Sequence, residues 1–66
     1  MELISTYWRD SDNSTAKVYM KVDEKCTIQY YSNLGVLLGS ESFPDKTLRY
    51  HEDAAENWAL GIKLTP

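Results

Sequence analysis

The chain has 66 residues, with seven Lys or Arg and ten Asp or Glu, so its formal net charge is −3. This length predicts one small domain over 1–66, which buries only about 60% of its unfolded surface and therefore has a thin core. A hydrophobic fraction of 42% with 12% aromatic residues excludes a disordered chain.

The cysteine and histidine content limits the covalent and metal chemistry of the chain. Cys26 is its one cysteine and His51 its one histidine, which excludes an internal disulfide and a zinc site of four Cys or His ligands. The N-terminal residues lack the basic start and apolar run of a secretion signal, and no apolar stretch is long enough to span a membrane. We therefore expect a cytoplasmic protein without a cofactor, stabilised in part by formation of a homo-oligomer.

Alternating apolar and polar residues predict four β-strands, over 3–9, 16–22, 25–31 and 36–43. Polar or glycine-containing segments separate them, as is typical of tight turns. Sequential short strands of this kind favour an antiparallel meander. In the fourth strand the alternation changes at Gly39, which predicts a β-bulge there.

The apolar spacing becomes helical near the C-terminus and predicts a helix over 50–61. Glu52 and Asp53 then fall in its first turn, where the helix dipole favours acidic groups, and Gly61 ends it. The fold class is therefore α+β, an antiparallel sheet of three or four strands with one C-terminal helix packed on it. The residues assigned to the buried side are Ala16, Val18, Met20 and Val22 in the second strand, Cys26, Ile28 and Tyr30 in the third, and Ala54, Ala55, Trp58, Ala59 and Ile62 in the helix.

The opposite side of the predicted sheet is the candidate binding surface. Lys17, Tyr19 and Lys21 alternate with the buried residues of the second strand, and Tyr31 does so in the third. Tyr is frequent at protein interfaces, and Trp8 joins this surface if it is exposed. Aromatic rings among lysines also stack on single-stranded nucleic acid, and Tyr and Thr are common in ordinary solvent-facing strands.

Catalytic residue types occur together only at His51, Glu52 and Asp53, next to the predicted start of the helix. A general base needs a pocket and a positioned partner, so we interpret His51 as a capping or surface residue. Cys26 lies on the apolar side of its strand, where a buried, unreactive thiol is expected. We therefore predict no catalytic residue and no enzyme activity.

Four segments spread over most of the chain are YHEDAAENWALGI at 50–62, ESFP at 41–44, YWRD at 7–10 and QYY at 29–31. With these segments the chain resembles small proteins of tailed phages that infect marine cyanobacteria. The resemblance implies an accessory protein made inside an infected bacterium, where such proteins commonly bind and alter a host protein. It assigns no functional residue.

The leading hypothesis is thus non-enzymatic binding of a protein partner through Tyr19, Tyr31, Lys17, Lys21 and Trp8. Binding of single-stranded nucleic acid through the same surface is an alternative, although the acidic net charge argues against it. A structural homo-oligomer, in which this surface or a sheet edge meets a second copy, is another.

Overall fold

The computed structural model describes residues 1–23 and 25–62. Four strands form one antiparallel sheet in the order β1-β2-β3-β4, and a single helix, α1, follows them. The helix lies on one side of the sheet, over the first three strands, which confirms the predicted α+β fold. The elements are β1 (Glu2–Arg9), β2 (Ser14–Met20), β3 (Cys26–Tyr31), β4 (Leu37–Glu41) and α1 (Leu48–Ala59).

The core is a layer of side chains between the sheet and α1. Trp58 of the helix is fully buried, and its ring centroid lies 4.9 Å from that of Tyr30 in β3. The Arg9 guanidinium stacks on the Trp58 ring, 4.0 Å from its centroid, and covers that end of the core. The fully buried apolar residues are Ala16, Val18, Ile28, Tyr30, Ala55 and Trp58.

The turn between β1 and β2 is tighter than the sequence pattern predicted, so β2 begins two residues earlier, at Ser14. Asn13 adopts φ 60°, and its N–H donates to the Arg9 carbonyl at 2.8 Å. The Ser14 N–H donates to Asp12 Oδ1 at 3.1 Å, which lowers the pKa of the Asp12 carboxyl from its ordinary value. At its other end β2 stops at Met20, and Val22, which was predicted to be buried, is 98% exposed.

Both outer strands contain an irregularity in their pairing. The register between β1 and β2 shifts between Leu3 and Ser5, so Ile4 is the extra residue. Between β3 and β4 the register shifts at Leu38, directly before Gly39, close to the predicted bulge. β4 spans only Leu37–Glu41, within the predicted 36–43.

The helix begins two residues before the predicted start, because Thr47 caps it. The Thr47 hydroxyl accepts a hydrogen bond from the Tyr50 N–H at 3.2 Å, which pairs one of the free N–H groups of the first turn. That turn contains no acidic residue, so the expected placement of Glu52 and Asp53 in the first turn is wrong.

The helix ends in a Schellman motif at Gly61. The Gly61 N–H donates to the Trp58 carbonyl at 3.0 Å, and the Ile62 N–H donates to the Asn57 carbonyl at 2.9 Å. This geometry needs a positive φ, and Gly61 has φ 82°. Ile62 lies past the helix and is 71% exposed, so its assignment to the buried side is wrong.

Candidate functional site

The side of the sheet opposite α1 carries three rows of side chains from neighbouring strands, and we call this surface the outer face. Ala16 and Val18 of β2 point toward the helix, so the residues between them point away from it. The pairing register then aligns residues of the other strands with them. The rows are Trp8, Thr15, Tyr31 and Leu37; Thr6, Lys17, Gln29 and Ser40; and Leu3, Tyr19 and Thr27.

The first row contains the most exposed large side chains of the outer face. Trp8 is 64% exposed and Leu37 is 54% exposed, with the half-buried Tyr31 between them along the row. The Tyr31 hydroxyl donates to Gln29 Oε1 at 2.5 Å, and Lys17 Nζ lies 5.2 Å from the Tyr31 ring centroid. These two contacts hold the Tyr31 ring in place, so less side-chain entropy is lost when a partner binds it.

The charge of the outer face comes from one lysine. Among the residues of the three rows, all of them described, Lys17 alone is charged. The acidic residues of the helix, Glu52, Asp53 and Glu56, lie on the other side of the sheet. There Arg49 Nε lies 3.6 Å from Asp53 Oδ1, and the Ser5 hydroxyl donates to Glu52.

The structure brings four of the five predicted site residues onto this surface. Trp8, Lys17, Tyr19 and Tyr31 all lie on the outer face. Lys21 does not, because β2 ends at Met20. Lys21 is exposed, and its backbone N–H donates to the Lys25 carbonyl at 2.8 Å in the following turn.

Two apolar residues of this surface, Leu3 and Leu37, are absent from the predicted set. Leu3 is 49% exposed and pairs with Tyr19. Leu3 lies on the outer face because the bulge at Ile4 shifts the pairing register by one residue. Nothing in the sequence indicates a bulge at that position. Leu37 pairs with Tyr31, and the bulge at Leu38 determines that it lies on the outer face. In the sequence, Gly39 next to Leu38 was the residue that indicated a bulge.

His51 is a buried structural residue rather than the capping or surface residue that we expected. It is fully buried, in the first turn of α1. Its Nε2 accepts a hydrogen bond from the Phe43 N–H at 3.1 Å, and its Nδ1 lies 2.8 Å from the Thr47 carbonyl, which requires an Nδ1–H donor. Both ring nitrogens are thus used to attach the loop before α1 to the helix.

Cys26 is buried, as its place on the apolar side of the strand predicts. Burial is the main cause that raises the pKa of the Cys26 thiol, and the negative charge of Glu52 raises it further. A raised pKa lowers the fraction of reactive thiolate at neutral pH. The thiol packs against Met20, with 3.9 Å between the sulfur atoms.

Within residues 1–23 and 25–62, no group of three or more His, Cys, Asp or Glu side chains has the arrangement to hold a metal ion. In the same part of the chain, no helix is long and apolar enough to cross a membrane. Compared with models of protein families, with curated proteins and with solved structures, the chain matches none of them.

Proposed function

We propose that this protein is a non-enzymatic binding protein that docks a partner protein on its outer face. The observation that carries the proposal is Trp8, which is 64% exposed in one row with Tyr31 and Leu37. Trp and Tyr dominate the energetically important positions of protein interfaces. A Trp held on a β-strand is also positioned in advance for binding.

The chemistry of the outer face favours a protein over a nucleic acid. Strands of nucleic acid are bound through several Lys or Arg contacts to phosphates, whereas the rows of this face contain Lys17 alone. We infer a partner with an apolar patch for Trp8 and Leu37 and an acidic side chain for Lys17. The acidic residues of α1 face away from that contact and do not repel such a partner.

The resemblance to small phage proteins supports a cellular context for this binding. On that basis, the partner is a host protein in the cytoplasm of an infected bacterium, and binding alters its activity. The single buried cysteine is compatible with a reducing compartment.

The experiment is an affinity capture from bacterial lysate with the tagged wild-type protein and with Trp8→Ala. The lysate is treated with nuclease, and the beads are washed at low and at moderate salt. We expect one host protein to remain bound to the wild type at moderate salt. Trp8→Ala should weaken its binding by at least about 2 kcal/mol, which is roughly thirtyfold in Kd.

A matched control is Leu60→Ala, because Leu60 is 68% exposed but lies past the end of α1. This variant should bind as the wild type does, and both variants should keep the wild-type circular dichroism spectrum. Equal binding by Trp8→Ala and the wild type would refute the outer face as the docking surface. Capture of nucleic acid alone, lost as salt rises, would favour the nucleic-acid alternative instead.

A further inference from the structure

The two aromatic side chains of the first row are separated by one small residue. Trp8 pairs with Thr15, and Thr15 pairs with Tyr31, so Trp8 and Tyr31 lie two strands apart on the outer face. Neighbouring strands of a sheet are about 4.8 Å apart, which separates these two residues by roughly 9.6 Å along the row. A ligand that contacts both residues must therefore repeat its contact groups at about that distance.

This distance matches the repeat of a polyproline II helix. Such a helix has about three residues per turn and rises about 3.1 Å per residue, so residues i and i+3 lie on one side at roughly 9.3 Å. Proline rings are apolar, and segments in this conformation dock on aromatic side chains. Two prolines one turn apart can thus contact Trp8 and Tyr31 at the same time.

The outer face also offers hydrogen-bond donors that lack an acceptor. The Tyr31 hydroxyl donates to Gln29 Oε1, which leaves the amide N–H groups of Gln29 for a ligand. Within residues 1–23 and 25–62, neither these groups nor Trp8 Nε1 nor Lys17 Nζ has a hydrogen-bond acceptor. A polyproline II segment supplies acceptors, because its carbonyls have no internal hydrogen bonds and its prolines have no N–H. An α-helical ligand would not, because its carbonyls are paired within the helix.

Lys17 gives the outer face a preference for acidic ligands. It is the one charged residue of the three rows, all of which are described, and its Nζ lies 5.2 Å from the Tyr31 ring centroid. No carboxylate within residues 1–23 and 25–62 forms an ion pair with it. An Asp or Glu of a ligand is attracted to this ammonium group, whereas a Lys or Arg is repelled.

We propose that the outer face binds a proline-rich segment of the partner in the polyproline II conformation, with two prolines one turn apart and an Asp or Glu beside them. This inference rests on the proposed function and specifies which part of the partner docks. One proline packs on Trp8 and the other on Tyr31, and the acidic side chain pairs with Lys17. The carbonyls of the segment accept hydrogen bonds from Trp8 Nε1 and the Gln29 amide. The segment adds no strand to the sheet, because it crosses β2 and β3, which are already paired on both sides.

The test is a fluorescence anisotropy titration of labelled peptides with the wild-type protein. The probe is a peptide of consecutive prolines with glutamates at both ends. Two comparison peptides carry alanines in place of the prolines or lysines in place of the glutamates. We expect the probe to bind at least about tenfold more tightly than either comparison peptide. No binding of the probe, or equal binding of the proline and alanine peptides, would overturn the inference.

A charge exchange on the protein tests the contact at Lys17. Lys17→Glu should weaken binding of the probe by more than about tenfold and strengthen binding of the lysine peptide. The matched control is Lys21→Glu, because it changes the net charge equally but lies in the turn after β2, off the outer face. This control variant should bind the probe as the wild type does. Equal effects of the two substitutions would contradict a specific contact at Lys17.

Two further variants separate this inference from the proposed function. Trp8→Ala and Tyr31→Ala should each weaken binding of the probe by more than about tenfold while keeping the wild-type circular dichroism spectrum. Excess probe should also release the captured host protein from the wild type. If Trp8→Ala loses the host protein but the probe neither binds nor releases it, the inference fails and the docking surface stands. If Trp8→Ala captures the host protein as the wild type does, the proposed function itself fails.

Discussion

A single buried imidazole connects the last strand to the helix. His51 accepts a hydrogen bond from the Phe43 N–H, donates one to the Thr47 carbonyl, and packs its ring 5.5 Å from the Phe43 ring centroid. The loop 42–47 contains no helix or strand, and inside it the Lys46 N–H donates to the Phe43 carbonyl at 2.9 Å. We therefore expect His51 to be important for stability although it is not placed for catalysis.

Replacing His51 tests this role. His51→Ala should lower the free energy of unfolding by about 2–4 kcal/mol, because it leaves a cavity and removes the partner of a buried N–H. Urea unfolding followed by circular dichroism measures the loss. Asn57→Ala, an exposed substitution in the same helix, should change stability by less than about 0.5 kcal/mol. Similar losses in both variants would contradict a specific role for the imidazole.

At the scale of elements, the two ends of α1 are fixed by different local structures. Thr47 pairs an N–H of the first turn through its hydroxyl, and Gly61 ends the helix by adopting a positive φ. The helix has 12 residues, a length at which an isolated helix is marginal in water. Its stability therefore depends on its caps as well as on the packing of Trp58.

The Thr47 cap gives a prediction with a conservative control. Thr47→Ala should lower the free energy of unfolding by about 1 kcal/mol, since the Tyr50 N–H loses its acceptor. For a domain of this size, that loss lowers Tm by roughly 4–8 °C. Thr47→Ser keeps the hydroxyl and should stay close to the wild type. A Ser variant as unstable as the Ala variant would show that the cap is not the cause.

The caps and bulges also explain which elements the sequence pattern predicts well. The alternation of Ala16 and Val18 and of Ile28 and Tyr30 identifies β2 and β3, because one side of each strand is buried under the helix. The start of α1 was predicted too late, since Thr47 has no Glu or Gln three residues later to complete a capping box. The same reasoning could not predict the bulge at Ile4, because that residue fits a regular strand equally well.

The residues of the outer face were likewise predictable only in part. The sides of Lys17, Tyr19 and Tyr31 were predictable, because they alternate with core residues in the two central strands. Trp8 could only be assigned conditionally, since its exposure depends on where β1 lies in the sheet and on which side the helix packs. Leu37 required the pairing between β3 and β4, which is a property of the sheet and not of one segment.

At the scale of the whole molecule, stability at high pH depends on tyrosines buried by packing of the helix and sheet. Burial is the main cause that raises the pKa of Tyr30, and its hydrogen bond of 2.7 Å to Glu41 and the charge of Glu41 raise it further. Burial, followed by the charge of Glu52, also raises the pKa of Tyr7. Both shifts have the same direction, so they act together on the stability of the domain.

The sign of the pH dependence follows from this direction. In the unfolded chain Tyr ionises near pH 10, whereas in the folded protein the neutral form of Tyr30 persists to higher pH. The unfolded state therefore loses protons first, and the free energy of unfolding should fall as pH rises above about 10. Below that pH both states keep the tyrosine protons, and these groups contribute no pH dependence.

Tyr30→Phe separates this effect from other causes of alkaline unfolding. At neutral pH the variant should be less stable by about 1–3 kcal/mol, because the hydrogen bond to Glu41 is lost. Above about pH 10 its stability should fall less steeply than that of the wild type, because Tyr30 no longer contributes to the slope, while Tyr7 and the Cys26 thiol, whose pKa values are also raised, still do. Urea unfolding at a series of pH values measures both effects. Equal alkaline slopes in the two proteins would exclude Tyr30 as a source of the pH dependence. They would also contradict the explanation that burial between the helix and the sheet keeps the Tyr30 hydroxyl neutral.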